Sequence, residues 1–485
     1  MKIIERTKPL QLPIAVQHIL LAAVLIVSFL LRWGLAFQGG QFFNPDEYRY
    51  LYCREVARDI QKGDYAAALT ELTREAAHQG FKFLGVIPAM VELKRGENSV
   101  IPALFFGLFS LINIALIWLL ALRLGGDKTE ALLASFLAAA SNTLFYYSSH
   151  LFPFDPAMTF GLLALYIGLR RESGIWTSML TGVFGFLAFF IYNGYWALVG
   201  FIFIVHILFA FGSYTRLFSR TVFAGLGFFA TLLLLVWING QFGNDLMQGY
   251  GQFSDTITNG NFSEGAILPF EYLWTAEHFL LIVWLLLISY AIVMISRSDS
   301  QRVIIWVGGA LFIYACFVIS SMVLHKFVVY GRLVREMVPF LVLASAYGLR
   351  MIEGSKRWGR LITVVILAVV ILQAGLNFRR PFLIIYPLNF ANQARKVYPY
   401  FKPPKNMTYY YTSNVIDVGP YKAYYIKYIF LLPDEVPPVD GKILMSAEHP
   451  LSSFPPFRYE DGYAPQARIT FPASLSKMMV VQINP

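Results

Sequence analysis

Residues 16–50 read VQHILLAAVLIVSFLLRWGLAFQGGQFFNPDEYRY, and this stretch joins a long apolar run to an acidic pair, Asp46–Glu47. The run from Val16 to Phe37 is long enough to cross a bilayer as one helix. Ionised side chains at the mouth of a membrane bundle are costly to place near lipid, so they are usually functional. The stretch therefore predicts a membrane-spanning helix that ends beside a chemically active surface.

The composition of the whole chain is that of a membrane protein. Of its 485 residues, 57% are hydrophobic and 14% are charged, with a mean hydropathy of +0.56, whereas soluble domains carry about 25% charged residues. The two cysteines, Cys53 and Cys316, lie far apart, so we expect neither a disulfide framework nor a cysteine metal site. The net charge of +10 would suit nucleic acid. Much of the Lys and Arg lies between apolar runs instead, where it sets membrane orientation, so we expect no nucleic-acid partner.

Apolar runs of bilayer length recur along most of the chain, which predicts about eleven transmembrane helices. The expected spans are Val16–Phe37, Val100–Leu122, Ala131–Tyr147, Pro156–Leu169, Trp176–Tyr192, Tyr195–Phe211, Val222–Asn239, His278–Ile295, Val303–Leu324, Val334–Leu349 and Leu361–Leu376. The basic start and the absence of a small-residue cleavage site indicate an uncleaved first helix. The predicted fold is an α-helical polytopic membrane domain over 1–378, followed by a small α/β domain over 379–485.

The charges between the spans predict the orientation of the chain. With the basic N-terminus in the cytoplasm, every second connection carries the positive charge, as membrane topology requires. These residues are Arg123 and Lys128, Arg170 and Arg171, Arg216 and Arg220, Arg297 and Arg302, and Lys356, Arg357 and Arg360. The loops 38–99 and 240–277 and the tail then lie outside the cytoplasm. In a bacterium this means the outer face of the inner (plasma) membrane.

The extracytoplasmic segments have distinct patterns. In the first loop, apolar residues recur at helical spacing from Tyr48 to Ile60, which predicts an amphipathic interfacial helix, with another over Tyr65–Ala77. The tail has strand-like runs at Met407–Thr412, Lys442–Met445 and Met478–Gln482 between Pro and Gly turns. No internal repeat is visible, which weakly disfavours many transporter folds.

Asp46 and Glu47 are the leading catalytic candidates, with Asp46 preferred. Acidic residues after Pro45 are also a helix-start signal, and both interpretations can hold together. The neighbouring Tyr50 is a candidate substrate-binding residue. Arg49 lies one helical turn from Asp46, so it can pair that carboxylate or bind a phosphate.

Other candidate residues lie further along the chain. The sequence pattern favours lipid-headgroup contacts for the remaining cations of the first loop, including Arg54. Lys82 lies among apolar residues, where a lysine either extends to the membrane surface or holds a lipid phosphate. Asp155 begins a span on the outer face and is a second candidate carboxylate, beside an interfacial His150. No histidine has zinc-site spacing, so we expect no metal site.

The span that ends near Leu324 is followed by a cationic cluster, which contains His325, Lys326, Arg332 and Arg335. One or two of these side chains can be explained as cations that extend to the membrane surface. Four cationic or imidazole groups in one short outer connection fit an anionic ligand better. Lys326 and Arg332 are the candidates for a second phosphate contact, and Tyr330 for substrate binding.

Together these motifs resemble the GT-C superfamily of membrane glycosyltransferases, nearest the bacterial aminoarabinose transferases and the related protein O-mannosyltransferase-like enzymes. The stretches that carry the resemblance are Asn44–Tyr50, Arg54–Ala57, Gly63–Tyr65, Gly96–Asn98, Leu104–Gly125, Ser148–Arg171 and Lys326–Pro339. It covers the membrane region in order and fades in the tail. The family usually has Glu-Lys-Pro-Pro around the loop lysine, whereas Phe81 precedes Lys82 here and Phe83–Leu84 follow it.

The resemblance implies a polyprenyl-phosphate-linked sugar as donor and an inverting transfer to a lipid, glycan or protein acceptor. It implies that Asp46 is the catalytic or acceptor-orienting carboxylate and that Lys82 binds the donor phosphate. With a carboxylate missing at residue 81, a divalent metal is possible but not indicated, and no cofactor is certain. The rival hypotheses are a lipid-linked sugar flippase or transporter, which needs ionisable residues at mid-membrane depth, and a polysaccharide polymerase or ligase.

Overall fold

The structure is a computed structural model that describes residues 13–38, 47, 49–96, 100–170, 174–210, 212–258, 266–295, 300–324, 331–354 and 358–379, together with three short strands in the tail. Several predicted features lie outside the described residues: Asp46, Lys326, Tyr330 and the strand-like run Met407–Thr412. The described part of the membrane region is almost entirely helical.

The helices follow one another with short connections. They are α1 (Ile14–Gln38), α2 (Tyr50–Lys62), α3 (Tyr65–Thr73), α4 (Gln79–Arg95), α5 (Val100–Arg123), α6 (Lys128–Ala140), α7 (Asn142–Tyr146), α8 (Phe154–Gly168), α9 (Ile175–Ile191), α10 (Trp196–Leu208), α11 (Tyr214–Gln241), α12 (Leu246–Thr258), α13 (Leu268–Glu277), α14 (Phe279–Val293), α15 (Ser300–Val318), α16 (Val338–Glu353) and α17 (Gly359–Arg379). Short 3-10 segments at Ala76–His78, Tyr147–Ser149, Asn193–Tyr195 and Gly331–Met337 and a π-helical turn at Ile319–Val323 complete the region.

Each predicted apolar span coincides with a helix, but one of them is broken. The expected span Ala131–Tyr147 ends as a helix at Ala140, because Ser141 is extended and its hydroxyl caps α7 by accepting from the Leu144 N–H at 3.3 Å. Among the described residues, five helices are long and apolar enough to cross a membrane. The count is six if the bent pair formed by Leu268–Trp274 and Phe279–Val293 is one span. The protein is thus a multi-pass membrane protein, and the count of about eleven crossings stays a prediction.

The described part of the first loop is helical, as predicted, but it contains one helix more than the sequence pattern indicated. Helices α2 and α3 match the two expected segments, and α4 follows with Pro88 in its interior. Helix α2 lies against α4 through Tyr50, Cys53 and Ala57. A Cβ on Gly85 would lie 2.5 Å from the Cys53 sulfur, so the two helices meet where α4 has no side chain.

The core lies between α5, α6, α8, α14 and α16, and α16 is buried along nearly its whole length. Helices α9 and α11 cross at a contact that excludes side chains. A Cβ on Gly182 would lie 2.0 Å from the Ala224 carbonyl oxygen, and one on Gly227 would lie 2.1 Å from that of Met179. The exposed faces of α1, α11 and α17 are rich in large apolar residues, which suits contact with lipid.

The described part of the tail is a small antiparallel sheet with strand order β1-β3-β2. Its strands are β1 (Lys442–Ser446), β2 (Arg468–Thr470) and β3 (Met478–Gln482), and Lys442 pairs with Gln482. Two of the predicted strand-like runs are therefore strands. A complete α/β domain over 379–485 stays a prediction.

Candidate functional site

Glu47, one of the two predicted acidic residues, is fully buried and anchors the first loop. One of its carboxylate oxygens accepts the Leu151 backbone N–H at 2.8 Å and lies 3.1 Å from Nδ1 of His150. The segment before α8 is thereby tied to the chain directly after Asp46. A buried carboxylate needs such partners, so Glu47 fixes the position of the loop.

Asp155, the second predicted carboxylate position, lies in the first turn of α8 and forms a buried ion pair that the sequence analysis did not identify. Its Oδ1 accepts from Nη2 of Arg335 at 2.6 Å and from the Asn113 side-chain amide at 3.3 Å. The Arg335 side chain is fully buried and that of Asp155 is 4% exposed. Sequence reasoning noted Arg335 in the cationic cluster but chose Lys326 and Arg332, because pairing across the fold is invisible in the sequence.

Aromatic rings enclose the Arg335 guanidinium. Its carbon lies 5.2 Å from the Tyr147 ring centre and 5.9 Å from that of Phe154. The Asp155 carboxylate offsets part of the cost of burying this positive charge. Within the described residues, Nε and Nη1 of Arg335 have no hydrogen-bond partner. The pair thus presents a charged group with two unoccupied donors in a low-dielectric environment.

The same cluster contains further polar groups. Tyr147 receives a hydrogen bond from the Tyr272 hydroxyl at 3.3 Å, and the Tyr147 ring also contacts His150 at 6.4 Å between ring centres. His150 in turn contacts Glu47, so the first-loop anchor and the Asp155–Arg335 pair belong to one connected region. Glu336, next to Arg335, accepts the Leu198 N–H at 2.9 Å.

Lys82, the predicted donor-phosphate ligand, lies in the first turn of α4 and is fully buried. Its Nζ donates to the Glu71 carbonyl oxygen at 3.0 Å, lies 3.4 Å from the Glu71 carboxylate, and lies 4.8 Å from the Tyr52 ring centre. Phe81 stacks on Phe106 at 5.2 Å. Residue 81 therefore belongs to the apolar core, while α3 supplies a carboxylate to Lys82.

Tyr50, the predicted substrate-binding residue, is also fully buried, and its hydroxyl donates to Glu92 Oε2 at 2.8 Å. Arg54 donates two hydrogen bonds to the same carboxylate, from Nε at 3.0 Å and from Nη2 at 2.8 Å. Burial, and then the Glu92 charge, raise the pKa of Tyr50. The expected headgroup contact for Arg54 is wrong in this structure, because its guanidinium is buried against Glu92. The role of Tyr50 in substrate binding stays a prediction.

The remaining predicted site residues are only partly described. Arg49 precedes α2 and is half-buried. Arg332 lies in the 3-10 segment Gly331–Met337, and its side chain lies outside the description, as do Asp46, Lys326 and Tyr330 entirely. Across the described ranges, no group of three or more His, Cys, Asp or Glu side chains is arranged to hold a metal ion.

Solved structures of GT-C superfamily proteins share the fold of this helical architecture. Among similar structures is ArnT, an aminoarabinose transferase, from Cupriavidus metallidurans bound to undecaprenyl phosphate, with a TM-score of 0.53 and 12% identity over 97% of this chain and 98% of that one. Its apo state has the same TM-score and identity, over 95% and 97%.

A further similar structure is archaeal oligosaccharyltransferase AglB from Archaeoglobus fulgidus, in complex with an inhibitory peptide and a dolichol-phosphate. It has a TM-score of 0.48 and 12% identity over 85% of this chain, and the chain spans 63% of the length of AglB. No family model and no curated protein sequence matches the chain. At these identities the likeness shows the fold alone.

Proposed function

We propose that this protein is an integral-membrane glycosyltransferase that moves a sugar from a polyprenyl-phosphate donor to an acceptor, with inversion at the anomeric carbon. The observation that carries the proposal is the fold shared with ArnT over 97% of the chain. The described part of the first loop adds support, because Glu47 holds it against the segment that leads to Asp155. The acceptor is a lipid, a glycan or a protein.

In the proposed reaction, Asp46 orients the acceptor hydroxyl and takes its proton as the oxygen attacks the anomeric carbon. The bond between that carbon and the phosphate oxygen breaks, and polyprenyl phosphate leaves as an anion. Cations that stabilise the leaving phosphate would supply much of the rate gain. Glu47 immediately follows Asp46 in the chain, and its contacts with His150 and Leu151 fix the position of Glu47 itself.

The proposed phosphate contacts are Arg49, Lys82, Lys326 and Arg332. In this structure the ammonium group of Lys82 is bound by Glu71, so a donor phosphate must replace that carboxylate. For Asp155, the geometry suits a role in holding Arg335 rather than in accepting a proton, because the carboxylate is already paired at 2.6 Å. The two unoccupied Arg335 donors suit an anionic substrate group in the same region.

We further propose a location in the bacterial plasma membrane, with the N-terminus in the cytoplasm and both the site and the tail domain outside. The alternation of basic connections supports this orientation. The partners would be the lipid-linked sugar, membrane lipid and the acceptor.

The test is transfer of labelled sugar from a pool of polyprenyl-phosphate sugars by purified wild type, Asp46→Asn and Asp59→Asn. The Asp59 control removes a carboxylate from the same loop that makes only a partly exposed contact with Lys62 at 3.7 Å. We expect wild type and Asp59→Asn to react and Asp46→Asn to lose about 100-fold or more, as for a lost general base.

Full transfer by Asp46→Asn would overturn the mechanism. If no protein reacts with any donor while wild type moves lipid-linked sugars across a bilayer, the flippase hypothesis replaces this one. Polymerisation of the glycan by wild type would instead favour the polymerase alternative.

A further inference from the structure

A cavity of about 590 Å³ lies at the opposite end of the helices from the site described above. The ends of α5, α8 and α10 and the start of α15 surround it. Its polar lining comes from Arg123, Arg170 and Gln301, and its apolar lining includes Leu124, Leu169 and Phe209. The volume lies in the range of small-molecule sites. Helix α8 places Asp155 and this cavity at its two ends, about 20 Å apart by helix rise.

The arginines that line the cavity differ from Arg302 and Arg350 in having no carboxylate partner among the described residues. The acidic side chains nearby are already bound: Glu130 accepts from Arg302 at 2.8 Å, and Asp127 accepts from Arg350 Nε at 2.8 Å. Arg350 also pairs with Glu353. The cavity lining therefore carries positive charge that the described acidic residues of this end do not neutralise.

A structural role explains arginines at helix C-termini in many proteins, because they offset the partial negative charge of the last carbonyl groups. Here Arg220 performs that role. It donates to the His206 carbonyl oxygen at 2.8 Å and to the Arg170 carbonyl oxygen at 2.6 Å. Arg220 does not line the cavity, so Arg123 and Arg170 are not needed for those carbonyls.

The Arg123 side chain packs on an aromatic ring. Its guanidinium carbon lies 3.9 Å from the centre of the Tyr166 ring, and its buried Nε has no hydrogen-bond partner in the described part of the chain. Stacking fixes the plane of the guanidinium and leaves its N–H edge for a ligand. A planar fork of donors matches the oxygens of a phosphate group.

The cavity lies beside the connections that contain Arg123, Arg170 and Arg302. The positive charge of these connections predicts a cytoplasmic location. Basic pockets between membrane helices on the cytoplasmic side bind anionic lipid headgroups. We propose that this cavity binds a phosphate group, presented by an anionic phospholipid of the cytoplasmic leaflet. This site is distinct from the proposed transfer site; it rests on the proposed orientation of the chain but not on the proposed transfer activity.

The test measures lipid retained by the full-length protein in detergent, by native mass spectrometry, with phosphatidylglycerol and phosphatidylcholine as probes. Wild type should prefer phosphatidylglycerol. The double variant Arg123→Gln/Arg170→Gln should lose that preference, by a factor of about ten for each charged contact removed. The control is Arg360→Gln, which removes an exposed arginine on the same predicted face outside the cavity.

Retention of the preference by the double variant, or an equal loss in Arg360→Gln, would overturn the proposal. In a second experiment, wild type is titrated with inorganic phosphate. If free phosphate binds and phosphatidylglycerol is not preferred, the proposal that a phospholipid supplies the phosphate group is overturned. If the glutamine variants do not fold, Arg123→Lys/Arg170→Lys keeps the charge but lacks the planar fork, and it should show a weakened preference.

Discussion

Burial decides what the individual charged residues of this protein do. Arg54 and Lys82 lie in a loop where the sequence favours contact with lipid, yet each is buried against a carboxylate, Glu92 and Glu71 respectively. A buried charge is stable only with such a partner. The carboxylates of the loop therefore determine which of its cations are available to a ligand.

The Glu71 contact makes a specific prediction for donor binding. Glu71→Gln removes the charge that competes for Lys82, so we expect tighter binding of polyprenyl phosphate, while Lys82→Met weakens it about tenfold or more. Titration of detergent-solubilised protein with polyprenyl phosphate measures both effects. Glu75→Gln, in the same loop, is the matched control and should bind like wild type. Unchanged affinity in Lys82→Met would remove Lys82 from the proposed phosphate site.

The Asp155–Arg335 pair makes a prediction for stability. Arg335→Met leaves a buried carboxylate without its cation and should lower the free energy of unfolding by about 3–5 kcal/mol. The double variant Arg335→Met/Asp155→Leu removes both charges and should recover much of that loss. Denaturation of the three proteins in the same detergent gives the coupling energy. Additive effects of the two substitutions would mean that the pair contributes no coupling.

At the scale of elements, close helix contacts and chain breaks position the site. Helix α4 was not predicted from the sequence, because its apolar residues are not gathered on one side: Lys82 and Glu92 are buried on it while Phe83 and Ile87 are exposed. Such a helix shows no clear amphipathic period. Its packing against α2 through Gly85 is what brings Tyr50 and Arg54 to Glu92.

The crossing of α9 and α11 provides a test of this packing. Gly182→Ala places a Cβ 2.0 Å from the Ala224 carbonyl oxygen, so the helices must separate, and we expect a loss of about 1–3 kcal/mol. Gly225→Ala, on α11 where nothing lies within 4 Å of the new Cβ, should be neutral or stabilising by up to about 1 kcal/mol. Thermal unfolding in detergent compares the two. Equal stability of the two variants would show that α9 and α11 do not cross as closely as the structure indicates.

At the scale of the whole molecule, polar groups gather at the two ends of the helices. Glu47 and Asp155 lie with their partners at one end, and the cavity lined by Arg123 and Arg170 lies at the other. This separation suits the proposed transfer at one face of the membrane, since the middle of the bilayer is the costliest place for charge.

The orientation can be tested with a pair of matched cysteine variants in a Cys316→Ala background. Tyr65 and Tyr214 are both well exposed, at 64% and 94%. A membrane-impermeant thiol reagent applied to intact cells should label Tyr65→Cys, in the first loop, and not Tyr214→Cys, next to the basic Arg216–Arg220 connection. Both should react after the cells are permeabilised. Labelling in the reverse order would invert the topology and place the site in the cytoplasm.

The sequence by itself determined that this is a multi-pass membrane protein with a helical framework. Long apolar runs can form little else in a bilayer, because every backbone polar group must be satisfied within the segment. The predicted spans accordingly coincide with helices, and so do the two segments of the first loop that were expected to be helical. Two of the expected strands of the tail are strands in the structure. It also identified the stretches that contain Glu47, Lys82 and Asp155.

Only the tertiary structure decided which partners those residues have. Glu71, Glu92 and Arg335 reach their ion pairs from other helices or segments, and His150 reaches Glu47 across more than a hundred residues of chain. Sequence patterns report which face of an element is apolar. Pairing between buried charges depends instead on distances across the fold, and these exist only once the helices have packed.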